Sequence, residues 1–248
     1  MKKFIAILCA LSMIVSLAAC AKQPTQAGSK SSKSGSAASK SASSKISVDY
    51  RHKIEKYLYQ KNNKDYTANY PQLSPEAPNY QKANDLLKKT GLQNILASGL
   101  KKEDATTTIK VKSKLTYYNE NFISATFDES NNVSTAAHPS AEFRTVNFDL
   151  KNGVPVTKAD MIVDSDALNT ALLAAAKKQL KSDLTASLTT ADIKDGMTNC
   201  SIYFSKTVIG FSLGVSHALG DHMEVTLKYA DVKPYITTNA IWKNFITE

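Results

Sequence analysis

Apolar and polar positions along this chain change period several times, and each change marks an element. Phe4 to Leu17 is an apolar run broken only by Ser12 and Ser16, while residues 21–45 hold no large apolar residue at all. From Ile46 the pattern becomes globular. His52–Tyr59 alternates through Ile54, Lys56 and Leu58 against Tyr57 and Tyr59, which predicts an edge strand, although a helix fits nearly as well. Tyr70-Pro71-Gln72-Leu73, with Pro75 and Pro78 beyond it, reads as a rigid extended connector. Asn79 to Ser98 places Ala83, Leu86, Leu87, Leu92, Ile95 and Leu96 on one side of a helix that Gly91 weakens in the middle, with Gly99 as the stop.

The period then shortens to two. Thr106–Tyr118 sets Lys110, Lys112 and Lys114 on one face and Ile109, Val111 and Leu115 on the other. Phe122–Phe127 follows as its hairpin partner, Glu142–Leu150 is a further strand, and Asn152-Gly153 turns the chain into Val154-Pro155-Val156. Asp164 to Leu184 is the clearest helix, capped by Asp164 or Ser165 and striped by Leu168, Leu172, Ala176 and Leu180. Thr189 or Thr190 starts a shorter helix that Gly196 is expected to stop. Cys200–Phe204, Val208–Leu213 and His222–Tyr229 are three closing strands, before a helical turn at Asp231–Ile236 and a tail bearing Trp242. Strands and helices are grouped rather than alternating, so the fold class is α+β with a largely antiparallel sheet in one domain, 46–248, which divides into parts at 66–105 and 106–236.

The N-terminal run acquires a meaning from its flanks. Lys2 and Lys3 precede it and Leu17-Ala18-Ala19-Cys20 closes it, which is a signal peptide ending in a lipobox, too short for a membrane span. Cleavage before Cys20 and lipid on its thiol give a two-chain anchor, hence an extracytoplasmic protein held at the cell membrane. Residues 21–45 then form a disordered Ser/Ala/Lys tether, about 25–30 Å across on average as a flexible coil. Cys9 leaves with the leader, so Cys200 is the one thiol left and the domain holds no internal disulfide. The formal charge of +9 also belongs to this end. Seven of the 31 basic residues and none of the 22 acidic ones precede Ile46, leaving the domain at +2. That distribution argues against a nucleic-acid partner, as export does.

Catalytic chemistry is hard to place. No serine stands in a Gly-x-Ser-x-Gly elbow, and Cys200 alternates with Ile202 and Phe204 as a buried structural cysteine does. His217, Asp221 and His222 fall together in His217-Ala218-Leu219-Gly220-Asp221-His222, and His138 precedes Pro139 in a loop. That spacing does not supply the three or four ligands of a zinc site, so no metal or other cofactor is expected. His138, His217 and Asp221 are the candidate ligand-binding residues, if tertiary contacts join them.

The order of motifs resembles a known family. Ala137-His138-Pro139, then Val146-Asn147-Phe148-Asp149-Leu150-Lys151-Asn152-Gly153 and a helix start near Asp160-Met161, is similar to the RsiV-like extracytoplasmic domain. This is domain of unknown function 3298, also found beside the deacetylase domain of PdaC-type wall enzymes. Ile209-Gly210-Phe211-Ser212-Leu213, His217-Ala218-Leu219-Gly220, Val225-Thr226-Leu227-Lys228-Tyr229 and Val232-Lys233-Pro234-Tyr235-Ile236 continue the resemblance, and Tyr70-Pro71-Gln72-Leu73 with Asn84 resembles the domain that commonly precedes it. Ala136 and Ala137 depart from the glycine usual before the histidine. The resemblance implies a non-catalytic binding or sensing domain, its ligand a lysozyme-like protein or a cell-wall fragment. The alternative it leaves is an accessory factor or enzyme of peptidoglycan modification. A lipidated Cys20 removes the cytoplasmic end that an anti-sigma factor needs.

Overall fold

Two asparagines start the fold. Asn62 and Asn63 both take left-handed backbone (φ 58° and 60°), the pair of conformations that a two-residue hairpin requires. They join β1 (His52–Lys61) to β2 (Lys64–Leu73), with Lys61 opposite Lys64. The computed structural model describes residues 52–181 and 185–246. Cys20, the apolar leader and the tether 21–45 lie outside the described residues.

β2 corrects one expectation, because Tyr70–Leu73 is the end of a strand rather than a connector. Its parallel pairing with β3 (Thr107–Tyr118) ends at Ala68, so from Asn69 onward only β1 pairs with it. A strand end with one partner tolerates Pro71. The Asn69 side chain takes over on the vacant side, its Oδ1 accepting the Ser113 N–H at 2.5 Å. Parallel neighbours need a crossover, and the helical segment supplies it. It is two helices, α1 (Tyr80–Gly91) and α2 (Gln93–Ser98), where one was expected, with Leu92 in neither conformation's centre at the joint. Gly99 does end α2, at φ 66°.

β4 (Phe122–Val133), β5 (Ser140–Asp149) and the two-residue β6 (Val154–Pro155) complete a six-stranded sheet in the order β1-β2-β3-β4-β5-β6. All pairs but β2–β3 are antiparallel. Gly153, at φ 70°, makes the β5–β6 turn; a Cβ there would meet Asn79 Oδ1 at 2.7 Å, and the Asn79 amide uses that space to reach the Leu150 carbonyl at 2.7 Å. Tyr66, Ile109, Phe127 and Phe148 on one face of the sheet pack with Leu87 and Ile95 of α1 and α2 into a first core.

A second core lies beyond β6. α3 (Lys158–Met161) and α4 (Asp166–Gln179) lead to α5 (Thr190–Thr198) and a three-stranded antiparallel sheet of β7 (Ser201–Phe204), β8 (Val208–Gly214) and β9 (His222–Lys228). Ser165 caps α4 through Leu168 N–H, and Thr189 caps α5 in a reciprocal pair with Asp192. Gly196 does not stop α5 as expected. It sits inside that helix because a Cβ there would lie 2.7 Å from the Gly214 carbonyl oxygen of β8. Leu168, Leu172, Phe204 and Phe211 fill this core with Trp242, so the tail is part of it; the indole N–H donates to the Met161 carbonyl at 3.0 Å. After β9 come α6 (Tyr229–Val232) and two short 3-10 turns.

The sheets join through side-chain polar groups. Asn147 Nδ2 donates to the Ile202 carbonyl at 2.7 Å, and the Phe204 N–H donates to Ser124 Oγ at 2.9 Å. β7 therefore lies across β4 and β5 on the face opposite α1.

Candidate functional site

The β8–β9 connection is built to hold one carboxylate still. His217–Leu219 form a single 3-10 turn, Gly220 reverses it at φ 98°, and Asp221 follows in left-handed backbone at φ 68°. A non-glycine residue in that region is uncommon unless its side chain repays it locally. Asp221 does so twice. Its Oδ1 lies 2.7 Å from His217 Nδ1, and its Oδ2 accepts the Ala141 N–H at the start of β5 at 2.7 Å. The Ala141 backbone donor, then His217, holds the Asp221 carboxyl below the usual carboxylate range.

His138 comes to the same place from the β4–β5 connection, its ring centroid 6.0 Å from that of His217. Tertiary contacts thus do what sequence spacing could not, and His138, His217 and Asp221 gather at one rim. His222 lies against Phe143, ring centroids 5.3 Å apart and tilted, and lines the adjoining groove, with its Nδ1 buried and without a partner among the described residues.

Beside this rim runs a groove of about 740 Å³. β5 forms one wall from Ala141 to Arg144, α5 forms another with Asp192 and Asp195, and the β8–β9 connection closes an end with Ser216, Leu219 and Asp221. Four carboxylates line it, those of Glu142, Asp192, Asp195 and Asp221, against the single guanidinium of Arg144. That guanidinium is already committed. Its Nη2 donates to the buried Glu129 carboxylate at 2.6 Å, and its Nη1 lies 2.7 Å from Glu142 Oε2 off the line of a hydrogen bond. Asn94 of α2 donates to both glutamates, at 2.8 Å and 2.5 Å. The groove wall is thereby pinned to the first core.

Sequence reasoning missed the acidic lining. Its signals were modest: Asp192 and Asp195 stand three apart, so they share a helix face, and Glu142 and Arg144 stand two apart, so they share a strand face. Burial raises the Cys200 thiol to about 12, which leaves it protonated and a poor nucleophile. Among the described residues no group of three or more His, Cys, Asp or Glu could hold a metal ion, and no helix is long and apolar enough to cross a membrane.

No protein-family model matches the sequence, and no curated protein matches it. Solved structures do match the fold. A DUF3298 family member from Bacteroides fragilis superposes with a TM-score of 0.53 at 15% identity, over 79% of this chain and 97% of its own. A DUF3298 family protein from Pseudomonas aeruginosa superposes with a TM-score of 0.51 at 7% identity, over 80% of this chain and 98% of its own. At those identities the likeness speaks for architecture alone: this chain has a fold similar to that of the DUF3298 family structures.

Proposed function

We propose that this domain is a non-catalytic binding or sensing module on the extracytoplasmic face of the cell membrane, held there by lipid on Cys20, and that the groove receives a cationic ligand. The observation that carries the reading is the groove lining of four carboxylates around one guanidinium that is itself spent on Glu129. Clefts lined by one sign of charge concentrate the opposite sign and speed its encounter. A lysozyme-like protein is the ligand class that best suits such a lining, with a cationic cell-wall fragment as the smaller alternative. Both Asp221 oxygens are engaged, on His217 and on Ala141 N–H, which suits a fixed recognition surface better than a proton-transfer group.

The His217–Asp221 pair favours one other reading, an accessory factor or enzyme of peptidoglycan modification, since a carboxylate-oriented imidazole is a common general base. One experiment separates the two. Immobilised residues 46–248 are challenged with a panel of lysozymes and a wall digest, and peptidoglycan is assayed for turnover. Retention of a basic lysozyme that salt releases, with no turnover, is expected. Turnover that disappears in His217→Ala, without retention of any ligand, would replace the binding reading with the enzymatic one.

A further inference from the structure

One face of the six-stranded sheet packs against α1 and α2, whereas β7 lies across β4, β5 and part of β3 on the other. Over β1, β2 and the first part of β3 that second face is open, and the register shows what it carries. Ile54, Lys56 and Leu58 of β1 lie opposite Pro71, Asn69 and Thr67 of β2, and Thr67 lies beside Lys110 of β3. Residues facing each other across a ladder project to the same side. Lys56, Lys110, Lys112 and Lys114 therefore share a surface with Ile54 and Leu58. All four lysines are exposed, and the two aliphatic side chains are 43% and 65% exposed. Among the described residues none of these lysines is in an ion pair. The acids on and beside this surface are Asp65, which accepts from Gln60, Asp128, opposite Lys112 on β4, and Glu224 of β9, which lines a depression with Lys112 and Lys114.

We infer that this open face of β1–β3 docks on the headgroup region of an anionic lipid bilayer. The lysines supply the charge complementarity, since each basic residue near an anionic leaflet strengthens attachment by up to about fivefold. Ile54 and Leu58 decide between a bilayer and a dissolved polyanion. A polyanion offers no apolar phase to receive a side chain two-thirds exposed, whereas a bilayer interface does. The inference does not depend on lipid at Cys20, nor on the groove.

The test uses residues 46–248, which segregate from the preceding chain as one compact unit. Sedimentation is measured with vesicles of phosphatidylcholine alone and with about 40% phosphatidylglycerol, at about 0.1 M salt. Binding to the anionic vesicles only is expected. Lys110→Gln/Lys112→Gln/Lys114→Gln should weaken it by on the order of tenfold or more, and Leu58→Gln should weaken it with no change of charge. Lys177→Gln/Lys178→Gln/Lys181→Gln removes equal charge from exposed sites on and just after α4 and should leave binding unchanged. An equal loss in that control, indifference to Leu58→Gln, or retention by soluble wall polyanion instead of vesicles would overturn the inference. Retention of a cationic ligand by the groove should be the same in all three variants, so either proposal can fail without the other.

Discussion

Asp221 and Lys112 are both charged residues on the same domain, yet their surroundings have little in common. Asp221 is clamped by a ring nitrogen and a backbone N–H within 2.7 Å, and nearby Arg144 is locked between Glu129 and Glu142. Lys112 stands on an open strand face between two other exposed lysines. Fixed charges define a shape and can discriminate among ligands, because they lose little freedom when one binds. Loose lysines on flexible stems follow a fluid surface without registering its detail. The groove is thus suited to choosing a partner and the β1–β3 face to adhering.

That contrast can be broken from the inside out. The largest effect is expected at the buried anchor of the groove wall. Arg144→Met leaves Glu129, 1% exposed, without its cation, and removing one partner of a buried pair costs about 3–5 kcal/mol. Chemical denaturation measures it directly, and a variant as stable as the parent would show that the wall is not pinned through this pair. The two cores come next. Phe148→Ala in the first and Leu172→Ala in the second should each cost about 2–5 kcal/mol, both being essentially fully buried.

A smaller loss is expected at the groove's helical wall. Thr189 accepts the Asp192 N–H and returns the contact through the Asp192 carboxylate, so Thr189→Ala should cost about 1 kcal/mol and loosen Asp192. Acid should act on the same contacts. Hydrogen bonds hold Asp160, Asp192 and Asp221 below the usual carboxylate range. A carboxyl whose folded pKa lies below its unfolded value stabilises fully above about pH 4, and that stabilisation is lost as pH falls through the folded value. Asp221→Asn should therefore lower stability in the neutral region, flatten the acid limb of the profile and leave its low-pH end little changed. The lysine face marks the other extreme: neutralising Lys110, Lys112 and Lys114 should shift stability by less than about 0.5 kcal/mol.

The sequence exposed much of this architecture, because burial imposes period. Ile109, Val111, Phe148 and Leu172 repeat at strand or helix spacing, and each lies in a core as its pattern indicates. The failures occurred where something other than period decides. β2 was hidden by Pro71, harmless only because β3 has stopped pairing there, and by Asn62-Asn63, a hairpin signal passed over for want of a glycine. Gly196 looked like a helix stop because close approach of β8 leaves no mark in its neighbourhood of sequence. His138, His217 and Asp221 were recognisable as polar residues in loops, but their meeting depends on the packing of the β4–β5 and β8–β9 connections. The acidic lining draws on β5, α5 and that second connection, and no local window contains it.

The most direct test of the binding account is the affinity of residues 46–248 for a basic lysozyme, titrated by calorimetry at two salt concentrations, beside Asp192→Asn/Asp195→Asn. The account predicts that raising salt weakens the parent strongly and that the double variant is about tenfold weaker with a shallower salt dependence. An unchanged affinity in the double variant, or a parent that binds no cationic ligand at either salt, would contradict it.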